Sequence, residues 1–141
     1  MSLRKTPRVL IVDDDPAGRE CYGRLFRRHG YQTLLAPNGS WVERNRQQIE
    51  DPEVILLDYR MPGMTGLELL EKLRGEGFTG AAFLISAHVS EEMFSEAARL
   101  GIRRVFHKPV ESAVLMESVA EALTHFERKA SASGKDANAL I

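Results

Sequence analysis

The sequence predicts an α/β protein in which five strands alternate with five helices in a doubly wound parallel sheet. Short apolar runs recur along the chain, and segments whose apolar residues have helical spacing lie between them. Each strand–helix unit takes up roughly 20 to 30 residues, which is the size of a βαβ element. Because the runs are continuously apolar, they are typical of parallel strands that helices cover on both faces.

The predicted strands coincide with the apolar runs. These are VLIV (9–12), YQTLLA (31–36), VILLD (54–58), AAFLIS (81–86) and RRVFH (103–107). The segments between them predict helices, of which the second, over 39–49, has the weakest apolar pattern. The expected strand order is 2-1-3-4-5, which makes the first and third strands neighbours.

Apolar residues three and four positions apart predict the buried faces of the helices. On the first helix this face comprises Ala17, Cys21, Tyr22, Leu25, Phe26 and His29. On the fourth helix it comprises Met93, Phe94, Ala97 and Leu100, and on the last Leu115, Val119, Ala122, Leu123 and Phe126. We therefore expect Cys21 and Phe94 to be buried.

The residues at the expected helix ends agree with this arrangement. Asp15 precedes a proline and has the position of an N-cap. Thr65 and Glu68 have the spacing of a capping box. Gly30 and Gly101 lie where two helices should end.

The composition of the 141-residue chain indicates one domain of ordinary charge. There are 19 basic and 20 acidic residues, so no basic excess suggests nucleic acid or a membrane as a direct partner. One cysteine excludes an internal disulfide, and no apolar run could span a membrane, so we expect a cytoplasmic location. Residues 1–6 are expected to be an extension, 7–127 the domain and 128–141 a flexible tail or a truncated linker.

Polar residues interrupt the pattern at the ends of four strands. Asp13 and Asp14 follow the first strand, and Asp58 ends the third. Ser86 ends the fourth strand and Lys108 follows the fifth. Ligands of open parallel sheets bind outside the carboxyl ends of the strands, where the strand order reverses. These side chains are therefore expected to converge on one site.

The predicted convergence of three carboxylates requires a positive counter-charge. A hard divalent cation such as Mg²⁺ uses one or two carboxylates, keeps several waters and leaves positions for phosphate oxygens. We therefore expect Mg²⁺ at this site, with Mn²⁺ as an alternative ion. Asp15 is excluded from this group because its capping position already accounts for it.

Four motifs, in order, resemble the receiver domain of two-component response regulators. They are LIVDDDP, VILLDYRMPGMTGLELL, LISAH and VFHKPV, and the resemblance covers about residues 7 to 127. It implies a flavodoxin-like receiver fold and a phosphorylation-dependent signalling switch rather than a classical enzyme. It also implies a histidine kinase or a histidine phosphotransfer protein as the phosphoryl donor.

The resemblance implies a role for each strand-end residue. Asp58 would be the phosphoacceptor, and Asp14 would ligate Mg²⁺ directly. Asp13 would act mainly through water, and the backbone carbonyl of Arg60 would be a further ligand. Such a set supplies the positioning and charge neutralisation that phosphoryl transfer needs.

The remaining implied roles concern the phosphoryl oxygens. Ser86 would hydrogen-bond to them and Lys108 would pair with them, with a cis peptide bond between Lys108 and Pro109. The added charge would bias a two-state equilibrium in the fourth and fifth βα segments.

Three positions depart from the family pattern or modify it. The family usually has an aromatic residue three positions before the lysine, where this chain has the switch position Val105. Phe106 is adjacent, but strand alternation directs it to the other face. Arg60 and His88 occupy the positions that tune the lifetime of the phosphoryl group in the family.

Two other functions fit part of the pattern. A receiver-like scaffold that binds partners without phosphorylation is compatible with Val105. The stretch VDDDPA (12–17) loosely resembles the motif of haloacid-dehalogenase-like phosphatases. In those enzymes a second acidic pair follows the lysine, whereas only Glu111 and Glu117 lie nearby here. Further expectations are a downstream protein partner or a missing output domain, and a homodimer.

Overall fold

Five parallel strands form one sheet in the order β2-β1-β3-β4-β5, as predicted. In this computed structural model, which describes residues 6–124, each strand lies within one residue of its apolar run. The strands are β1 (Arg8–Val12), β2 (Gln32–Ala36), β3 (Val54–Asp58), β4 (Ala81–Ser86) and β5 (Ile102–His107).

Five helices connect and cover the strands. They are α1 (Pro16–Arg28), α2 (Gly39–Arg44), α3 (Gly66–Gly75), α4 (Glu91–Arg99) and α5, which covers 112–124 of the described residues. None of the helices within 6–124 is both long and apolar enough to cross a membrane. Phe126 and the predicted tail, 128–141, lie outside the described residues.

The helix ends use the caps that the sequence predicts. The Asp15 carboxylate accepts a hydrogen bond from the amide of Gly18 at 3.0 Å. Both hydrogen bonds of the Thr65–Glu68 capping box are present. Gly30 and Gly101 have φ angles of 87° and 77°, a left-handed conformation that glycine adopts without steric cost.

The sheet separates two apolar clusters, as expected of a doubly wound fold. Leu10 and Leu57 face the cluster that contains α2, α3 and α4, whereas Ile11 and Leu56 face the one that contains α1 and α5. Fully burying one such side chain contributes about 1.5–3 kcal/mol. The clusters therefore fix which face each strand residue takes.

The strand register aligns the carboxyl ends of the central strands at one edge. Val12 pairs with Leu57, and the next residue of β3, Asp58, pairs with Ile85. Ser86 pairs with His107, directly before Lys108. The polar residues that follow these pairs therefore lie at one end of the sheet.

The predicted buried face of α1 is wrong at Ala17, Cys21 and His29, which are exposed. The buried residues of this helix are Gly23 and Phe26. Since each helical residue turns by about 100°, Cys21 lies on the opposite side of α1 from these two. The core position expected for Cys21 is therefore incorrect.

The predicted burial of Phe94 is also wrong, because its side chain is 49% exposed. Met93 and Ala97, four residues apart, form the buried side of α4. Ser90 is the N-cap, so Val89 and Phe94 occupy the two positions of a hydrophobic staple.

The predicted helix over 39–49 is two shorter elements. α2 ends at Arg44, and a 3₁₀ turn follows over Arg46–Gln48. The side-chain amide of Asn45 donates to the carbonyl of Trp41 at 2.7 Å, so this residue ends the helix by competing for its backbone.

A pair of glycines in α3 gives a stability prediction. A Cβ atom on Gly66 would lie 2.4 Å from the carbonyl oxygen of Asp58, whereas one on Gly75 would meet nothing within 4 Å. We expect Gly66→Ala to destabilise the protein by about 1–3 kcal/mol, since it forces the backbone apart. Gly75→Ala should be neutral or stabilise by up to about 1 kcal/mol. Urea unfolding of both variants checks this, and equal effects would contradict the close approach.

Candidate functional site

Three carboxylates lie together at the carboxyl edge of the sheet. Asp13, Asp14 and Asp58 each offer an oxygen, and these oxygens all lie within 4.8 Å of one another. Asp13 is 3% exposed and Asp58 is 7% exposed, whereas Asp14 is exposed. The structure therefore brings together the three acids that the sequence singled out, and leaves the cluster open to solvent at Asp14.

Hydrogen bonds on both sides fix Asp13 at the end of β1. Its amide donates to the carbonyl of Ala36 at 3.1 Å, which extends the pairing with β2 by one residue. Its carboxylate accepts from the amide of Asp15 at 3.0 Å, and its carbonyl accepts from the Arg19 guanidinium at 2.9 Å. Asp15 takes part as a backbone donor and helix cap.

The backbone around Asp58 is equally constrained. The amide of Tyr59 donates to the carbonyl of Ile85 at 2.8 Å, and the amide of Gly66 donates to the carbonyl of Tyr59 at 2.9 Å. The absence of a side chain on Gly66 lets the start of α3 approach the carbonyl of Asp58 closely. These contacts fix the path of the backbone where the chain leaves the sheet after Asp58.

Lys108 supplies the positive charge beside the acids. Its ammonium Nζ lies 3.1 Å from Oδ1 of Asp58, and its side chain is 37% exposed. The amide of Lys108 donates to the carbonyl of Ser86 at 2.9 Å, and the Lys108–Pro109 peptide bond is cis. One lysine opposes three carboxylates, so the site carries excess negative charge.

Burial shapes the electrostatics of the two inner acids. It raises the pKa of the Asp58 carboxyl to about 6, with Lys108 opposing this shift and Asp13 adding to it. Burial is also the main cause that raises the pKa of Asp13, and the Asp15 amide opposes it. Clustered carboxylate oxygens with excess negative charge are a donor set that fits a hard divalent cation.

Ser86 lies at the same edge but is bonded elsewhere. Its side chain is buried at 3% exposure, and its hydroxyl donates to the carbonyl of His88 at 2.5 Å. The hydroxyl also accepts from the amide of His88 at 3.2 Å. In this structure the Ser86 hydroxyl therefore bonds to backbone groups of the turn after β4. The side chains of His88 and Arg60 are exposed.

Val105 and Phe106 take opposite faces of the sheet, as strand alternation requires. Val105 is half-buried against the cluster of α2, α3 and α4. Phe106 is buried on the other face, with its ring centroid 6.1 Å from that of Phe83. The residue at the switch position is thus aliphatic, and the adjacent aromatic ring belongs to the opposite cluster.

Sequence reasoning missed three neighbours of the acidic cluster. Tyr22 lines the same narrow space as Asp13 and Asp58. Burial is the main cause that raises the pKa of the Tyr22 hydroxyl to about 12, and the charges of Asp13 and Asp58 add to it. A Cβ atom on Gly18 would lie 2.9 Å from the Asp13 carboxylate. Arg19 is the third. The only sequence feature that could have indicated their closeness to the acids is their position on the first two turns of α1, directly after Asp13 and Asp14.

The raised pKa of Asp58 predicts a pH-dependent stability in buffer that contains EDTA. The native carboxyl keeps its proton up to about pH 6, whereas the unfolded one loses it near 3.8, so stability falls as pH rises through this window. At pH 7.5 Asp58→Asn should therefore be more stable than the parent by up to about 3 kcal/mol, and at pH 3.5 the two should be equal. Urea unfolding across this range measures the difference.

The control for this prediction is Asp51→Asn, because Asp51 is an exposed carboxylate that pairs with Arg46 at the far end of the sheet. This variant should change stability by less than about 1 kcal/mol at any pH. A difference between parent and Asp58→Asn that does not vary with pH would contradict the buried-acid explanation.

Comparisons with known proteins agree with this geometry. The family model of the response regulator receiver domain matches residues 9–120. Sporulation initiation phosphotransferase F from Bacillus subtilis is 30% identical over 116 residues, which cover 82% of this chain and 93% of that protein. Protein PilH from Pseudomonas aeruginosa is 32% identical over 119 residues, which cover 82% of this chain and 97% of that protein.

Solved structures and longer relatives complete the comparison. A CheY-like receiver domain protein from Methanospirillum hungatei matches with a TM-score of 0.83 and 26% identity, over 89% of this chain and 99% of that one. Other relatives are much longer. The chain spans 30% of the cyclic di-GMP phosphodiesterase from Thermotoga maritima and 16% of the sensory/regulatory protein RpfC from Xanthomonas campestris. By its family match, its fold and these relatives, the chain belongs to the response regulator receiver domain family.

Proposed function

We propose that this receiver domain is a phosphorylation-dependent switch in which Asp58 accepts a phosphoryl group from a histidine kinase or a histidine phosphotransfer protein. One observation carries the proposal: Asp58 is buried beside Asp13 and Asp14, with the Lys108 ammonium 3.1 Å from its carboxylate. A simple ion pair between Lys108 and Asp58 needs no further acids. Two more carboxylates at this point raise the energy of the site unless a cation and a charged ligand use them.

The reaction is a displacement at phosphorus. A carboxylate oxygen of Asp58 attacks the phosphorus of a phosphohistidine, an O–P bond forms, and the P–N bond to the donor imidazole breaks. The released imidazole nitrogen takes up a proton from water. Hydrolysis of the resulting acyl phosphate, with water as the nucleophile, returns the free carboxylate and inorganic phosphate.

The neighbouring residues supply positioning and charge. Asp13, Asp14 and Asp58, with the backbone carbonyl of Arg60, would hold Mg²⁺ or Mn²⁺. When bound, the ion neutralises the acids and the phosphoryl oxygens. Lys108 remains beside the attacked carboxylate and opposes the charge that develops on the transferred group. The exposed edge at Asp14 leaves the donor a path to Asp58.

Ser86 is the proposed link to the signal. In the structure its hydroxyl donates to the carbonyl of His88. A phosphoryl oxygen on Asp58 is a stronger, charged acceptor. If the Ser86 hydroxyl donates to that acceptor instead, its hydrogen bond to His88 breaks and the turn between β4 and α4 is released. This turn is the two-state element that phosphorylation would bias. The exposed side chains of His88 and Arg60 would tune the access of water to the phosphoryl group.

The family and the relatives support the proposed partners. The chain spans most of sporulation initiation phosphotransferase F and of PilH, but only part of the longer relatives. We propose that output passes through a downstream protein or a further output domain, without direct contact of this domain with nucleic acid or membrane, and in the cytoplasm. The domain boundaries at 7 and 127 and a homodimer belong to the same proposal.

A second candidate is a scaffold that works without phosphorylation. Two observations favour it: the switch position holds the aliphatic Val105, and the Ser86 hydroxyl is already engaged by His88. In this case Asp58 would be a structural acid, and phosphorylation would leave the surface of the domain unchanged.

Covalent labelling tests the phosphoacceptor assignment. We expect acetyl phosphate with Mg²⁺ to add a single phosphoryl group to the parent, seen in the intact mass, because Asp58 is the buried carboxylate that forms an ion pair with Lys108 among the described residues. The adduct should be labile to hydroxylamine and absent from Asp58→Asn and from samples with EDTA. Asp51→Asn should label like the parent. An adduct that persists in Asp58→Asn would assign the reaction to another residue.

The positive charge of Lys108 should have two effects, one on the rate of phosphoryl transfer and one on Mg²⁺ binding. Lys108→Ala should slow phosphorylation by acetyl phosphate about tenfold or more, because the developing charge loses its partner. It should tighten Mg²⁺ binding, because the ammonium no longer competes for the carboxylates. Titration of Mg²⁺ and the labelling rate measure these effects. Lys72→Ala, which removes an exposed lysine paired with Glu43, should change neither; weaker Mg²⁺ binding in Lys108→Ala would contradict the assigned role.

A further inference from the structure

A pocket opens at the opposite end of the sheet from the acidic cluster. It lies between the first halves of β1 and β2 on one side and α2 with its following 3₁₀ turn on the other, and its volume is about 380 Å³. The residues that line it and carry the argument are Leu10, Leu34, Trp41, Asn45, Gln48 and Ile49. None of them belongs to the phosphoacceptor site.

The pocket exists because α2 is too short to cover β2. The helix ends at Arg44, where the Asn45 side chain bonds to the carbonyl of Trp41. β2 is an outer strand of the sheet, so it has a neighbouring strand on one side only, and its face depends on helices for cover. Leu34 is consequently 38% exposed and forms part of an apolar floor with Leu10.

The lining is apolar with a neutral polar rim. Trp41 and Ile49 are the other large apolar residues of the lining, and Asn45 and Gln48 are its amide residues. The charged groups in the lining are Arg8 and Glu50, and they form an ion pair with each other. The Arg8 Nε also donates to the side-chain amide oxygen Oε1 of Gln32 at 3.2 Å. The pocket therefore presents apolar surface and amides without an uncompensated charge.

The geometry points to a binding site for an uncharged, planar aromatic or heteroaromatic small molecule between Leu34 and Trp41. The volume lies in the range of ligand pockets, which are mostly apolar and carry a few orienting polar groups. The indole offers a stacking face for a flat ring. A charged ligand would lose hydration and find its partners already paired. None of the residues that line the pocket belongs to the acidic cluster, so we expect the pocket to bind its ligand whether or not Asp58 is phosphorylated.

The test uses the uncharged fluorophore N-phenyl-1-naphthylamine and its sulfonated analogue, 1-anilinonaphthalene-8-sulfonate. Trp41 is the only tryptophan of the chain, so its emission reports on this pocket directly. We expect saturable, one-to-one binding of the uncharged probe with energy transfer from Trp41. The sulfonated probe should bind at least about tenfold more weakly. Amide NMR shifts of the unmodified protein should change mainly in residues 32–34 and 41–50.

Matched variants locate the site. Leu34→Gln should weaken binding of the uncharged probe at least about tenfold, whereas Phe94→Gln, which alters a comparably exposed apolar residue on α4, should leave it unchanged. Asp58→Asn should also leave it unchanged, which separates this proposal from the phosphoacceptor assignment.

Several results would overturn the proposal. They are the lack of saturable binding, equal affinity for the sulfonated probe, shifts centred on α4, and equal loss in Phe94→Gln. Binding that appears only after removal of residues 2–5 would assign the pocket to the chain's own N-terminal segment. Binding that disappears on dimerisation would assign it to a second copy of the chain.

Discussion

The contact between the Lys108 ammonium and the Asp58 carboxylate, 3.1 Å apart among three clustered acids, is the constraint on which the site depends. The pair cannot form unless β3 and β5 end at the same edge, with β4 between them. Two apolar clusters, one on each face, hold the strands in that register. The packing of the core therefore determines how close the three carboxylates lie to one another, and the single positive charge of Lys108 neutralises them only in part.

Much of the fold follows from the sequence because its determinants are local. The apolar runs mark the strands, the Asp15 and Thr65 caps mark two helix starts, and parallel strands place their polar ends at one edge. The convergence of Asp13, Asp14 and Asp58 needs no more than these facts and the strand order. The roles expected for the individual acids came instead from the resemblance of the four motifs to the receiver domain family.

The rest depends on hydrogen bonds and packing that spacing does not encode. The Asn45 amide ends α2 early, and this local competition opens the pocket beside Trp41. The engagement of Ser86 by His88 depends on the turn after β4. Cys21 was expected to be buried because residues recur at helical spacing on one side of α1, but Gly23 and Phe26 form the buried side of this helix.

The fold holds Asp58 as a buried acid beside Lys108, and we propose that a divalent cation completes the stabilisation of its charged form. ¹³C NMR of the Asp58 carboxyl carbon, followed against pH with EDTA and then with saturating Mg²⁺, tests this most directly. Without metal we expect a titration midpoint near pH 6, in line with the raised pKa of Asp58, and with Mg²⁺ a clearly lower midpoint. A midpoint near 4 that Mg²⁺ leaves unchanged would contradict it.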